Sequence, residues 1–298
     1  MILGNRLHID GALFFGIVML LGVGLFVVFS AGGEDWDLLQ RHGIRILVSL
    51  VALLLAAQVP PDALQRWSPY VFFVGMGALV LVLVLGYADR GAQRWLDFGV
   101  IRFQPSEIMK LAVPMAVVWI LTRRPLPPRL PDLILALALT LLPACLVIIQ
   151  PDLGTAVLLI ISGLLAVFLA GVRWRHLLML VAVVAATAPY LWYRLHDYQQ
   201  ARIVTMFNPW ADPMGSGYHI IQSQIAVGSA GIVGKGWLRG TQSQLEFIPE
   251  RSTDFIFAVF AEEFGLIGAA VLLVLYLFVV GRSLVLAYRT QDLSLIHI

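Results

Sequence analysis

The chain has 298 residues, of which 60% are hydrophobic and 13% are charged, with a formal net charge of +2 and a mean hydropathy of +0.88. Soluble domains are about half apolar and a quarter charged, so this composition excludes an ordinary soluble protein and indicates an integral membrane protein. The single cysteine, Cys145, excludes a disulfide framework and a thiolate metal cluster. We expect no nucleic-acid partner.

Eight apolar stretches predict eight membrane-spanning helices. The first, Gly11 to Gly33, has no charged residue and is long enough to cross a hydrocarbon core about 30 Å thick. It is too long for a signal-peptide core, so we expect it to remain as a helix. The others lie at residues 46–59, 68–87, 106–122, 132–149, 152–171, 176–193 and 254–281. The sequence therefore predicts an all-α integral membrane protein, a polytopic helical bundle in one domain over residues 1–298.

Arginines in short loops predict the orientation of these spans. With a cytoplasmic N-terminus, the acidic segment 34–37 falls outside and nine arginines fall inside, whereas the opposite orientation would place all nine outside. The nine are Arg6, Arg66, Arg123, Arg124, Arg129, Arg173, Arg175, Arg282 and Arg289. This orientation makes residues 194–253, between spans seven and eight, a large extracytoplasmic loop.

The large loop contains turn signals followed by a short helical pattern. Asn208-Pro209 and the segment 212–217 predict turns, and the apolar spacing of 218–228 predicts a short helix. This helix would lie on the membrane surface or between spans, and an ordinary loop helix packed on the bundle fits equally well.

A glycine-rich run, Gly228 to Gly236, invites comparison with a phosphate-binding loop. Ser229 stands where that pattern needs Gly, Gly236 stands where it needs Ser or Thr, and no predicted strand precedes the run. The comparison therefore fails and excludes a nucleotide site. Flexible backbone near a substrate and a simple tight loop both remain as interpretations.

Three spans that should begin on the outer face each start with an acid. These acids are Glu107, Asp152 and Asp254, and Pro105 and Pro151 fit the first helical position before two of them. First-turn acids are stabilised by the positive end of a helix, so each acid alone is explained by capping. Three on one membrane face also indicate a site, because ionisable groups within spans are costly.

Cations gather on the same predicted face. Lys110, one of two lysines, lies three residues after Glu107, where it could form a salt bridge or hold an anionic group. Arginine forks suit phosphate oxygens, although a solvated loop surface also explains them. The other cations are Arg90, Arg94, Arg102, Arg202, Lys235, Arg239 and Arg251. Glu262 and Glu263, about 12 Å beyond Asp254 by helix rise, would need partners if buried, and the sequence does not name them.

Six segments together resemble the SEDS family, the shape, elongation, division and sporulation proteins of bacterial cell-wall synthesis. The resemblance covers nearly the whole chain, and the motifs occur in the family's order. They are Gln104–Lys110, Gln150–Thr155, Gly215–Gln224, Gly234–Trp237, Gly240–Gln242 and Phe247–Phe257. The opening at His8 and the form of the loop at 247–250 resemble the elongation member, RodA, more than the division member, FtsW.

The resemblance implies a peptidoglycan glycosyltransferase that polymerises lipid II into β-1,4 glycan strands during cell elongation and cell-shape maintenance. It implies a multi-pass protein of the bacterial cytoplasmic (inner) membrane, with the active site on the extracytoplasmic face. The implied partners are lipid II, the lipid bilayer and a class B penicillin-binding protein.

By motif match, Asp254 is the essential carboxylate, Glu107 and Lys110 are paired functional residues, and Asp152 belongs to the site beneath the loop. Asp254 could act as the general base towards the acceptor hydroxyl, with inversion at the donor carbon. We expect Arg102, Arg202, Lys235, Gln242 and Arg251 to bind substrate. The leaving diphosphate needs charge stabilisation from Arg or Lys or from a divalent cation, Mg²⁺ or Mn²⁺. Asp254 and Asp152 are the candidate ligands of such a cation, because hard cations prefer carboxylate oxygens.

One departure from the family concerns the C-terminus. Family members usually have about ten spans, whereas this chain has eight predicted ones. The ending, residues 292–298, has no family-like continuation and is interpreted as a truncation or a foreign tail.

Two alternatives come from other functional classes. A lipid II flippase would also place charges within a multi-span bundle, but the charges cluster at one face and no polar trail reaches the cytoplasmic side. A non-catalytic scaffold that activates a class B penicillin-binding protein is the other alternative.

Overall fold

The computed structural model describes residues 9–89, 92–97, 99, 102–125, 127–195, 197–215, 217–245, 247–248 and 250–289. The predictions on Arg6, His8, Arg90 and the tail 292–298 lie outside these residues. In the described part the chain is mainly helical. The helices are α1 (Gly11–Ala31), α2 (Trp36–Ala56), α3 (Pro61–Leu85), α4 (Pro105–Leu121), α5 (Leu130–Ile149), α6 (Leu153–Leu169), α7 (Trp174–Arg194), α8 (Asp197–Phe207), α9 (Tyr218–Ser229), α10 (Thr241–Gln244) and α11 (Ile256–Arg289), with a 3₁₀ turn at Pro209–Ala211.

Five of these helices are long and apolar enough to cross a membrane, namely α1, α2, α3, α5 and α11. The helix α6 and the part of α7 from Trp174 to Tyr190 are shorter apolar helices. The membrane-protein class predicted from composition is thus confirmed, and the count of eight spans stays a prediction.

The second span begins earlier than its hydropathy predicted. Its helix starts at Trp36 rather than at residue 46, because Asp35 caps it by accepting hydrogen bonds from the N–H groups of Asp37 and Leu38. A cap of this kind satisfies two otherwise orphaned donors. The first turns of this helix carry charged residues, so a prediction from apolar runs alone places its start too late.

A small antiparallel sheet corrects the all-α prediction. Its strands are β1 (Tyr87–Asp89), β2 (Ala92–Asp97) and β3 (Arg102–Phe103), in the order β1-β2-β3. Pairing of Leu96 with Phe103 and of Asp97 with Arg102 joins β2 to β3. The sheet connects α3 to α4 and carries Arg94 and Arg102 close to the start of α4.

By the distribution of its contacts the chain divides into two compact units, each described here by itself. Unit 1 contains residues 1–58 and 194–286, and unit 2 contains residues 59–193 and 287–298. The prediction of a single membrane domain stays a prediction.

The core of unit 2 is formed where α3, α4, α5 and α6 pack together. Small residues allow close approach: a Cβ added to Gly163 would lie 2.2 Å from Thr140 Oγ1, and one added to Gly75 would lie 2.4 Å from Met109 Sδ. Thr140 is fully buried, and its hydroxyl donates to the Ala136 carbonyl of the preceding turn. This dense packing gives the starts of α4 and α6 a rigid base.

In unit 1 the long helix α11 is broken at Gly265, whose φ of 65° and ψ of −162° are not helical. The loop 231–236 pairs with the broken turn: Lys235 N–H donates to Glu262 O (3.0 Å) and Gly236 N–H to Glu263 O (2.9 Å). On the other side of the break, the N–H groups of residues 266 and 267 donate to carbonyls of residues 231 and 232. Irregular backbone at membrane depth requires such partners.

Candidate functional site

Asp152 lies at the centre of a polar cluster in unit 2. It is the N-cap of α6 and accepts from the Thr155 N–H (3.2 Å) and the Thr155 hydroxyl (3.0 Å). Gln104, before α4, donates at 3.3 Å to Oδ2, the oxygen that also accepts from the Thr155 hydroxyl, and Arg94 of β2 lies 3.9 Å from the same oxygen. The starts of α4 and α6 therefore meet at one end of this unit, as the topology predicted.

The position of Asp152 within its helix differs from the prediction. The prediction put Pro151 at the first helical position, but α6 begins at Leu153 and Asp152 is the cap itself. As the cap, the carboxylate accepts the N–H of Thr155, which has no partner within the helix. Arg94 also donates to the carbonyls of Gln150 and Pro151 and so ties this turn to the sheet.

Glu107 and Lys110 form an ion pair on one face of α4. Their charged atoms are 2.8 Å apart, and the side chains are 56% and 36% exposed, respectively. Pro105 occupies the start of the helix and Glu107 its first turn, both as predicted. In β3, Arg102 lies 3.4 Å from Asp97 across the strand pair and is largely exposed.

Asp254 lies in unit 1, in a turn just before α11. The helix begins at Ile256, so the prediction of Asp254 in its first turn is wrong by two residues. The Glu250 carbonyl accepts the N–H groups of Thr253 and Phe255 and thereby holds the turn. The Asp254 side chain is exposed and makes no hydrogen bond or ion pair with any residue that the structure describes.

The buried partner of Lys235 is Glu262. The Lys235 ammonium donates to Glu262 Oε1 at 2.7 Å, to the Ser229 hydroxyl at 2.9 Å and to the Thr241 hydroxyl at 2.7 Å. The same Glu262 oxygen accepts from the Thr241 hydroxyl and from the Gln242 N–H, each at 3.0 Å. All three donors of the ammonium are used, so binding of substrate by Lys235, still a prediction, would require one of these contacts to break.

The neighbouring acid, Glu263, is also buried. Its Oε1 accepts from the Ser30 hydroxyl of α1 and from the Leu238 N–H at 3.1 Å. Its Oε2 has no hydrogen-bond partner among the residues that the structure describes. Trp237, next to Leu238, stacks on Phe26 of α1 with ring centroids 4.4 Å apart. Both acids thus hold the loop 235–242.

Sequence reasoning did not find the partners of these two acids or the break in α11. The available signals were two adjacent acids followed by Gly265 inside an apolar run, and the glycine-rich run before Lys235. Of the two interpretations of that run, the tight loop is the one that the structure supports, because its backbone pairs with the broken turn.

The remaining predicted substrate-binding residues lie in the loop of unit 1. Arg202 is exposed on α8, Arg251 is half-buried in the turn before Asp254, and Gln242 contributes its backbone N–H to Glu262. Their roles towards substrate stay predictions.

In the described part of the chain, no group of three or more His, Cys, Asp or Glu side chains could hold a metal ion. Asp152 is engaged by Thr155, Gln104 and Arg94, and Asp254 belongs to the other unit. The divalent cation stays a prediction.

These features define a helical membrane protein with acids and cations close to the starts of its helices. A family model described as cell cycle protein, for FtsW, RodA and SpoVE, matches residues 7–296. The chain therefore belongs to this family, the SEDS proteins, and the resemblance predicted from its motifs is confirmed.

The chain is similar to curated proteins and to solved structures. Peptidoglycan glycosyltransferase MrdB of Escherichia coli strain K12 is 47% identical over 288 residues, which are 96% of this chain and 78% of MrdB. Probable peptidoglycan glycosyltransferase FtsW of Idiomarina loihiensis is 36% identical over 278 residues, with coverage of 92% and 67%.

Of the solved structures, one reported as the structural coordination of polymerization and crosslinking by a peptidoglycan synthase complex has a TM-score of 0.82 and 32% identity. The match covers 97% of this chain and 81% of that one. The crystal structure of Thermus thermophilus rod shape determining protein RodA has a TM-score of 0.70 and 27% identity, with coverage of 98% and 80%.

Proposed function

We propose that this chain polymerises lipid II into β-1,4 glycan strands, with Asp254 as the general base. The chain is a peptidoglycan glycosyltransferase of the SEDS family, and its 47% identity to MrdB over 96% of the chain supports a role in cell elongation and cell shape. The protein works in the cell membrane with a cytoplasmic N-terminus, eight spans and a large extracytoplasmic loop at 194–253.

The observation that carries the assignment of the base is the environment of Asp254. Asp152, Glu262 and Glu263 are held by hydrogen bonds, whereas Asp254 is exposed and unbonded within the described residues. A carboxylate in this state can accept a proton from an incoming hydroxyl.

The reaction balances as a single displacement. The acceptor hydroxyl gives its proton to Asp254, and its oxygen forms a bond to the anomeric carbon of the donor. The bond from that carbon to the lipid diphosphate breaks, and the diphosphate leaves with the electron pair. Direct attack inverts an α-linked donor and gives a β-1,4 glycan.

The exposed pair on α4 suits the leaving group. Lys110 has only one partner among the described residues, Glu107, and its side chain is 36% exposed, so its ammonium can turn towards a diphosphate oxygen. Arg102, Arg202 and Arg251 supply guanidinium groups that match phosphate geometry.

An apolar groove between α3 and α4 offers a place for the prenyl chain. It has a volume of about 470 Å³ and begins beside Phe103 and Pro105, close to Glu107 in sequence. Trp67, Tyr70 and Ile108 line its sides. Such a groove would hold the lipid in the bilayer while the sugars remain at its surface.

A class B penicillin-binding protein is the proposed partner. The solved complex, which couples polymerization to crosslinking, resembles this chain over 97% of its length and supports that pairing.

The test combines purified protein, a class B penicillin-binding protein and labelled lipid II. Asp254→Ala should reduce glycan synthesis by about 10²–10⁴-fold, since the general base is lost. Asp197→Asn, which changes another exposed acid of the same loop on α8, should leave synthesis unchanged.

Equal glycan synthesis by Asp254→Ala and the parent would overturn the assignment. Movement of labelled lipid across vesicles, unaffected by Asp254→Ala and without polymer, would support a flippase instead.

A further inference from the structure

We propose that Glu262 is a positioning residue for the transferase reaction. By holding Gln242, it fixes one end of the segment that carries Asp254, and it does not touch substrate. The inference rests on the role of Asp254 in the proposed function. Glu262, Lys235 and Asp254 all lie within unit 1.

The first step is the location of Glu262, directly before the break in α11. A Cβ on Gly234 would lie 2.2 Å from the Glu263 carbonyl oxygen, and one on Gly265 would lie 2.3 Å from the Gly234 nitrogen. Both glycines have positive φ, 82° and 65°. The loop and the helix therefore approach backbone to backbone, and the Glu262 side chain starts from a fixed point.

The second step is the convergence of donors on this one carboxylate. Glu262 is fully buried, and its Oε1 receives the Lys235 ammonium, the Thr241 hydroxyl and the Gln242 N–H at 2.7 to 3.0 Å. A buried carboxylate is tolerated when it is paired and hydrogen-bonded, as here. Lys235 supplies the compensating charge, and Gln242 supplies the backbone contact.

The third step is the effect on the chain between these contacts. Gln242 is held by Glu262, and Ile256 begins the helix that carries Glu262. Both ends of the segment 243–255, which includes Asp254, are thus fixed to one helix. Closing a loop at its base removes much of its conformational freedom. Because a misplacement of about 1 Å can reduce a rate by about 10²-fold, this closure bears directly on turnover.

Glu263 holds the same loop at a second point, through the Leu238 N–H and the Ser30 hydroxyl. Its contact at Leu238 lies between the two ends of the loop that Glu262 holds, Lys235 and Gln242. Glu262 is therefore the acid whose loss should release the segment with Asp254, and Glu263 the acid that should continue to hold Trp237 and Leu238.

The experiment compares Glu262→Gln, Lys235→Met and the double variant in the full chain, with two measurements. The first is kcat and KM for glycan synthesis with the class B partner. The second is the rate of trypsin cleavage after Arg239, which is exposed in the held loop, with cleavage after Arg202 of α8 as an internal reference.

Glu262→Gln leaves the half-buried Lys235 ammonium without its counter-charge, and Lys235→Met leaves the buried Glu262 carboxylate without its own. The double variant removes both charges of the pair. We expect each single change to lower kcat about 10-fold or more with KM little changed, and to accelerate cleavage after Arg239 relative to Arg202. The double variant should recover part of both losses, because the charges are removed together while Gln still accepts the Gln242 N–H.

A double variant no better than Lys235→Met, with a raised KM, would show that Lys235 binds substrate and would overturn the proposal. Unchanged cleavage after Arg239 in Glu262→Gln would also overturn it. The cleavage measurement does not depend on activity. It therefore tests whether Glu262 holds the loop even if Asp254→Ala keeps full activity and another residue is the base. If a single variant does not fold, the double variant is compared with the parent, and cleavage after Arg239 no faster than in the parent would overturn the proposal.

Discussion

The two lysines of this chain form nearly identical ion pairs in very different surroundings. Lys110 lies 2.8 Å from Glu107 on the surface of α4, where the side chains are 36% and 56% exposed. Lys235 lies 2.7 Å from Glu262, where the side chains are 26% and 0% exposed. The two pairs have nearly the same nitrogen–oxygen distance, and they differ in how far the carboxylate is removed from water.

Because of this difference in burial, the two lysines have different roles. An exposed pair contributes little to stability and exchanges its partner for another anion at small cost. A buried pair depends on both members, because removal of one leaves an uncompensated charge in a medium of low dielectric constant. Lys110 is thus free to bind substrate in the proposed reaction, whereas Lys235 is held in place.

The largest contrast is expected between Lys235→Met and Lys110→Met. Loss of the buried pair should lower the free energy of unfolding by about 3–5 kcal/mol, since Glu262 keeps its charge without a partner. Loss of the exposed pair should change it by about 0–1 kcal/mol. Denaturant unfolding of the two variants in the same detergent measures both values. Equal destabilisation would break the comparison.

Next in size is the effect of a substitution at Gly265, the break in α11. Gly265→Ala should destabilise the protein by at least about 1–3 kcal/mol, because its backbone conformation is nearly exclusive to glycine and a Cβ would meet Gly234. The matched control is Gly281→Ala in the same helix, where an added Cβ has nothing within 4 Å. Thermal unfolding of both variants checks this, and a Tm of Gly265→Ala at or above that of the control would refute it.

The smallest effect concerns a third pair of intermediate burial, Asp10 with Arg282, joined by hydrogen bonds of 2.6 and 3.0 Å. The Arg282 guanidinium lowers the pKa of Asp10 from 3.8 to about 2, and the Leu13 N–H adds to this. Because the folded-state pKa lies below the unfolded one, the contribution to stability is present above pH 3.8 and is lost as the pH falls towards about 2.

Asp10→Asn should therefore lower the Tm at about pH 6, and the difference from the parent should shrink between pH 3.8 and about 2. Asn keeps the ability to cap α1, so the comparison isolates the charge. A Tm difference that stays constant through that interval would show that the ion pair does not contribute.

Much of the local structure around the candidate site could be predicted from the sequence. Pro105 and Glu107 begin α4 as expected, and Lys110 lies on the same face because helical residues three apart are neighbours. The boundaries at Asp152 and Asp254 were each misplaced, since a cap and a turn are decided by hydrogen bonds that apolar runs do not contain.

The sheet between α3 and α4 was missed for a related reason. Its strands are short and follow directly on an apolar helix, so the helical and extended patterns overlap in the sequence. Only the pairing of residues such as Leu96 and Phe103 shows that this connection is extended.

The sequence by itself determined the membrane class, most of the helices and the family, because these depend on composition, on local periodicity and on motifs in order. Only the tertiary structure decided which charges are held and which are free. Lys235 and Glu262 lie 27 residues apart, and nothing local shows that they meet at 2.7 Å in a buried position. Burial and pairing depend on contacts between distant segments, and those contacts separate the fixed acids of α11 from the exposed Asp254.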